Sequence, residues 1–243
     1  MHTHSFTRAF VVQARWAGLL YLLIITAGLG AELGLRAPLI DLDDARETAE
    51  SILGAPGLFR LSLAADLLMA LADAGLAILL YLMFRATAPA LALSAMVFRL
   101  IQTVLIAANL LAMQTAWLLL AGDHDLPVAH AQALALVFLD LHGHGYDLGL
   151  VFFGVNSLIM GILVWRSGLL ATIFGLGLFA AGLVYLTGSS LRFLAPDLSP
   201  QFMPAYCITI LAETAFCLRL LFQSIPRPSN WSFEHHGDRK ERK

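Results

Sequence analysis

The run LALSAMVFRLIQTVLIAANLLAMQTAWLLL, Leu91–Leu120, holds one ionisable side chain, Arg99, in an otherwise apolar and neutral stretch. Thirty residues of helix extend about 45 Å, enough to cross the ~30 Å hydrocarbon core of a bilayer. A guanidinium keeps its proton in a protein, and in hydrocarbon it costs from about 3 kcal/mol upward unless it is solvated or paired. The run therefore predicts a membrane-spanning helix and, with it, a polar partner for Arg99 on another helix.

The rest of the chain reads the same way. Its 243 residues are 59% hydrophobic and only 13% charged, with mean hydropathy +0.77, where a soluble domain carries about a quarter charged residues. Six runs are long enough to span: roughly 14–35, 58–84, 91–120, 146–165, 169–191 and 203–222. The expected fold is an all-α, polytopic membrane protein, a six-transmembrane-helix bundle. A short outer amphipathic or re-entrant helix completes it. Two segments suit that last role: the acidic stretch that begins at Asp41, and Ala129–Leu141, apolar but half a span long and followed by Gly143 and Gly145. The division is a cytoplasmic N-terminus (1–13), a six-span domain (14–222) and a disordered basic cytoplasmic tail (223–243). The first run has no small-residue cleavage site and reads as a retained helix.

Orientation follows from the basic residues. In a six-span arrangement Arg8, Arg15, Arg85, Arg166, Arg219, Arg227, Arg239, Lys240, Arg242 and Lys243 fall on one side. Arg36, Arg46, Arg60 and Arg192 fall on the other. Both termini are thus expected in the cytoplasm, with the loop 121–145, free of Lys and Arg, outside.

In that arrangement the membrane polar groups gather in the outer half. Glu32 ends the first span; Arg60 and Asp66 open the second, and Asp73 lies mid-span, seven residues on and so on the same helix face. Gln102 and Asn109 continue a stripe outward from Arg99, and Tyr206 lies outward of Glu213 on the last span. These nine residues are the candidate polar pocket, with Arg99 paired to Asp73 or Glu213. Taken singly, Gln102, Asn109 and Asn156 read better as interhelical hydrogen bonds.

A second cluster, Asp140, His142, His144 and Asp147, surrounds the two glycines. A continuous helix puts Asp140, His144 and Asp147 on one face; a break at the glycines lets His142 and His144 converge. Either arrangement offers imidazole and carboxylate to a transition metal, and a haem ligand is a further option. The plainer reading is an outer-interface turn. Cys207 and Cys217 are too far apart along one helix for a disulfide and fit no metal spacing, so both are expected in the core. Gly30-x-x-x-Gly34 and Gly145-x-x-x-Gly149 suggest close helix approach. No phosphate loop, nucleophile triad or basic nucleic-acid patch is present.

Several segments resemble the DUF 4386 family of bacterial and archaeal multi-span proteins: Gly18-Leu-Leu-Tyr-Leu-Leu-Ile, Gly57-Leu-Phe-Arg-Leu, Val97-Phe-Arg-Leu-Ile, Gly149-Leu-Val-Phe-Phe-Gly, Gly161-Ile-Leu-Val-Trp-Arg-Ser-Gly, Gly182-Leu-Val-Tyr-Leu and Ala212-Glu-Thr-Ala-Phe. The likeness runs from about Arg15 to Leu221. It implies a prokaryotic plasma-membrane location and points to Arg60, Asp66, Arg99, Gly154 and Glu213 as family positions. Ala171-Thr172 departs from the family's Pro-Arg at that turn. The resemblance supplies no activity.

Three functions follow. The leading one is an outward-opening polar pocket that binds or passes a small ligand or a proton, with the lipid bilayer as surroundings, no nucleic acid, and a homodimer as one way to complete a carrier. The second is an intramembrane metal-dependent hydrolase on the His142, His144 and Asp147 cluster. The third is a structural or regulatory membrane partner.

Overall fold

Apolar side chains in lipid leave the backbone no partner but itself, so each hydrophobic run must close its hydrogen bonds within a helix. A computed structural model, which describes residues 8–223, shows this for all six runs. The spans are α1 (Arg8–Leu29), prolonged by a π-helical segment Gly30–Arg36, then α3 (Pro56–Phe84), α4 (Pro89–Ala121), α5 (Val128–Ser167), α6 (Thr172–Leu194) and α8 (Tyr206–Leu221). Between α1 and α3 lies α2 (Ala45–Gly54), and the short α7 (Ser199–Phe202) sits in the broken stretch before α8. Prolines at the first turns of α3 and α4 start those helices where a missing N–H costs nothing. The first helix already includes Arg8, the first described residue and six before the expected boundary, and Phe10 and Val11 are buried in it. The basic tail and the extreme N-terminus expected from the sequence lie outside the described residues.

The helix α2 is the short amphipathic helix expected from the acidic stretch after Asp41. Asp44 caps it, its carboxylate accepting from the backbone N–H groups of Arg46 and Glu47. Thr48, Ala49 and Ile52 are buried, and Ile52 packs with Leu39, Phe59, Met113 and Leu139. The second candidate for that role is corrected: Ala129–Leu141 is neither re-entrant nor separate. It is the first part of α5, which runs unbroken through Gly143 and Gly145 for 40 residues. Glycine costs a helix about 1 kcal/mol relative to alanine; here both glycines lie against neighbours that a side chain would displace, Gly143 against Arg192 and Gly145 against Asn109. Packing outweighs propensity.

Each span packs on its neighbour in sequence, and α8 closes back on α1, so the six form a ring. One end of the ring is plugged. Phe10, Tyr21, Leu80, Phe84, Ala95, Leu163, Leu178, Phe216 and Leu220 join in one buried apolar cluster drawn from all six spans. Both described chain ends lie there, where Arg15 Nε donates to the Gln223 carbonyl at 3.2 Å.

Gly145 and Gly149 do lie close against α4, at Asn109 and Ile106, as expected of that pair, but the closest backbone-to-backbone approaches are made by other glycines. A Cβ at Gly161 would lie 2.7 Å from the Gly175 carbonyl, and one at Gly182 2.8 Å from the Gly154 carbonyl. These two pairs join α5 to α6 backbone to backbone. Gly18 is pressed against Leu221 in the same way. Gly30 and Gly34, by contrast, face open space, so the expected packing role of that pair is withdrawn. Cys217 is buried with its thiol donating to the Gly18 carbonyl at 3.4 Å, but Cys207 is exposed, which corrects its assignment to the core.

The glycine contacts give a direct test. Gly161→Leu is expected to destabilise the protein in detergent by about 1–3 kcal/mol through overpacking, whereas Gly30→Leu should leave thermal unfolding within about 0.5 kcal/mol of the parent.

Candidate functional site

Arg99 emerges from α4 directly above the apolar plug, 2% exposed. Its Nε donates to Asp73 Oδ1 at 2.8 Å, and Nη2 donates to the same oxygen. The Thr103 hydroxyl, one turn on from Arg99, donates to Asp73 Oδ2. Aromatic rings flank the guanidinium carbon at 5.2 Å from Tyr21 and 5.0 Å from Phe153, a favourable setting for a desolvated cation. Of the two carboxylates expected to pair with Arg99, Asp73 is the one that does.

Two further guanidiniums are organised alike. Arg36, in the π-helical segment, places Nε and Nη2 3.0 and 2.7 Å from Glu32 Oε2 and donates through Nη1 to Asp66 on α3. Asp66 and Asp73 do share a face of α3, both buried, but each serves a different arginine. Arg192 on α6 lies 3.0 Å from Asp147 and 3.4 Å from Asp140, both on α5. The absence of a side chain at Gly143, between them, lets the guanidinium cross the helix surface.

Above Arg99 the ring encloses a cavity of about 700 Å³. Of the nine pocket residues expected from the sequence, Glu32, Asp73, Arg99, Gln102, Tyr206 and Glu213 line it. Asp66 stands behind Arg36. Arg60 lies elsewhere, on the outer surface, with its guanidinium 4.7 Å over the Trp117 ring. Asn109 ties α4 to α5, donating to the His142 carbonyl at 2.6 Å, which is the interhelical bond expected of it. Four buried polar atoms of the lining form no hydrogen bond: Gln102 Oε1, His142 Nε2, Glu213 Oε1 and Arg192 Nε, the last of them nonetheless 3.0 Å from Asp147 in its ion pair. Glu213 forms no ion pair among the described residues.

The histidine cluster does not converge. His142 is buried toward α4, its Nδ1 3.1 Å from Asn109 Nδ2. His144 is half-exposed on another face, with its ring against Phe193 and Nδ1 3.5 Å from Asp140. Asp147 is committed to Arg192. Among the described residues no three His, Cys, Asp or Glu side chains form a group able to hold a metal.

Sequence reading missed Arg36 and Arg192, which it counted only as outer charges, and the aromatic residues Tyr21, Phe153 and Tyr185. A usable signal existed for two of the clusters. Arg36 follows Glu32 by one helical turn, and Asp140 and Asp147 lie two turns apart on one face with Gly143 between. The aromatics carried none, since they are indistinguishable in sequence from ordinary core.

The chain belongs to the family described as a domain of unknown function, DUF4386, whose model matches residues 16–223. No curated protein and no solved structure matches it.

Breaking the central pair should expose its cost. Asp73→Leu strands a buried guanidinium and is expected to destabilise by roughly 3 kcal/mol or more. Adding Arg99→Met to that variant should recover most of the loss in detergent unfolding, whereas independent residues would give additive losses.

Proposed function

We propose that this DUF4386 protein binds a small ligand in the cavity above Arg99, in the plasma membrane of a prokaryote. The observation that carries the reading is the combination of a roughly 700 Å³ void with buried acceptors, Gln102 Oε1 and Glu213 Oε1, left without partners. Polar groups that serve only to hold helices together satisfy one another, and close packing leaves them no void. A pocket for a small molecule has the opposite character: concave, largely apolar, with a few fixed polar groups.

The cavity mouth faces the outside in this reading. The positive-inside bias supports that direction, and it is sharper than the sequence count indicates. Of the four basic residues on the outer side, Arg36 is buried and Arg192 part-buried in ion pairs that face the cavity, leaving Arg46, paired with Glu50, and Arg60 as the exposed ones. The ligand, or a proton carried by Glu213, would therefore come from outside, down to a floor formed by Arg99 and Asp73. Six spans are few for a secondary carrier, so passage across the plug would call for two copies.

Cysteine accessibility tests the cavity and its direction together. In a Cys207→Ser/Cys217→Ala background, Ala70→Cys on the cavity wall should react with a membrane-impermeant thiosulfonate added to intact right-side-out spheroplasts. Ala95→Cys, in the plug, should not. Ala70→Cys unreactive even after permeabilisation would remove the cavity reading; reaction only after permeabilisation would reverse the orientation.

A further inference from the structure

We propose that the cavity is built for an organic cation, an amine or onium group carried on an apolar body. The proposal rests on the ligand-binding reading above and adds the sign and class of the ligand.

The charge balance around the void comes first. Three guanidiniums adjoin it, and each is already covered: Arg36 by Glu32 and Asp66, Arg99 by Asp73, Arg192 by Asp140 and Asp147. An anion would have to displace a carboxylate from its arginine. A cation displaces no ion pair, because Glu213, 9% exposed, accepts from the Tyr185 hydroxyl but has no ion pair among the described residues, and its Oε1 is left without a partner. Counting the six carboxylates named against the three arginines, the site has an acidic excess. Glu32 stands at the mouth with its side chain 62% exposed, where, with Arg36 shared between it and Asp66, the surplus acid raises the local concentration of cations.

Two of the unpartnered lining atoms agree; of the other two, Arg192 Nε stands in its ion pair with Asp147 and His142 Nε2 is a ring nitrogen that accepts in one tautomer. Gln102 Oε1 and Glu213 Oε1 are both acceptors, both on residues more than nine-tenths buried, and both line the void. They ask for donors or positive charge. Beside Glu213 runs a ladder of aromatic rings: Phe153 to Tyr185 at 5.1 Å and Tyr185 to Tyr206 at 6.0 Å between centroids. Ring faces attract cations, most strongly where water is excluded. The remaining wall, between α1 and α8, is apolar, with Ile24, Ile25, Leu29 and Ile210. A body of hydrocarbon or aromatic rings packs there while its charge rests on Glu213.

The test uses two probes of one shape and opposite sign, tetraphenylphosphonium and tetraphenylborate, each measured for saturable binding to the purified full-length protein in detergent. Tetraphenylphosphonium is expected to bind and to protect Ala70→Cys from thiol labelling; tetraphenylborate is expected to do neither. Glu213→Gln, close in shape to the parent, should weaken tetraphenylphosphonium roughly thirtyfold, while Glu47→Gln on α2 should not change it. Should Glu213→Gln fail to fold, Gln102→Leu is the second variant, and it too should weaken the phosphonium. Preference for the borate, equal binding of both probes, no binding of either, or unchanged phosphonium affinity in the variants overturns the cation assignment. If Ala70→Cys still labels in that case, the cavity reading stands without it; if Ala70→Cys is inert, both fall.

Discussion

A guanidinium in the interior of a membrane bundle has to bring its counter-charge with it, and the architecture follows from where that counter-charge can come from. Arg99 cannot release its proton, so α4 must stand against the helix that carries Asp73. The requirement fixes the register of α3 against α4: Thr103 reaches the second oxygen of the same carboxylate, and a one-turn slip breaks all three hydrogen bonds at once. Tyr21 and Phe153, on α1 and α5, then close over the guanidinium. One pair thus draws four of the six spans to a common depth.

The same device recurs at the other end of the ring. Arg36 holds the π-helical end of the first span to α3, and Arg192 holds α6 to α5. Apolar side chains cannot choose a register in a medium as apolar as themselves, and what they contribute is packing. The division of labour is visible along the bundle axis. At the plugged end, glycine contacts and interlocked aliphatic groups fill the space. Toward the mouth, ion pairs brace the helices across a gap, which is why a void can persist there. The helix α8 is the exception. It forms no ion pair among the described residues, is seated by Gly18, Cys217 and Leu220 at the plug, and carries the one cavity carboxylate with no arginine.

The fold was legible in the sequence because its governing quantity, uninterrupted hydrophobic length, is local. Six runs gave six spans, and the acidic stretch after Asp41 gave α2 with its cap. Where the reading failed, a local rule met a tertiary cause. Gly143 and Gly145 looked like a helix break, yet Arg192 and Asn109 occupy the space their missing side chains leave. Gly30 and Gly34 had the spacing of a packing motif but face away from every neighbour. The site was half legible. Buried carboxylates and Arg99 stand out against an apolar background, so six of nine expected residues line the cavity. Which acid serves which base is a matter of helix order around the ring, and no spacing within one span encodes it. Arg192 escaped notice for that reason, and Arg36 despite its spacing from Glu32: near span ends, a buried arginine and a surface one have the same sequence context.

Glu213 is the residue for which this economy matters most. A membrane protein can afford buried acids as glue when each meets a base, and five of the six around the cavity do; Glu213 has the Tyr185 hydroxyl and no base. Fixing Glu213 would have taken a base on α1 or α6 at the depth of Arg99. The facing positions are instead aromatic and aliphatic: Tyr185 on α6, Ile24 and Ile25 on α1. An unsatisfied buried carboxylate oxygen is a standing cost to the fold, and one that a single substitution to glutamine or leucine would reduce. Its position, beside a void large enough for a small molecule and below an acidic mouth, accounts for that cost if the missing partner is supplied from outside the chain. A purely structural role accounts for Arg99, Asp73 and Thr103 completely; it leaves one oxygen each of Glu213 and Gln102 buried without a partner.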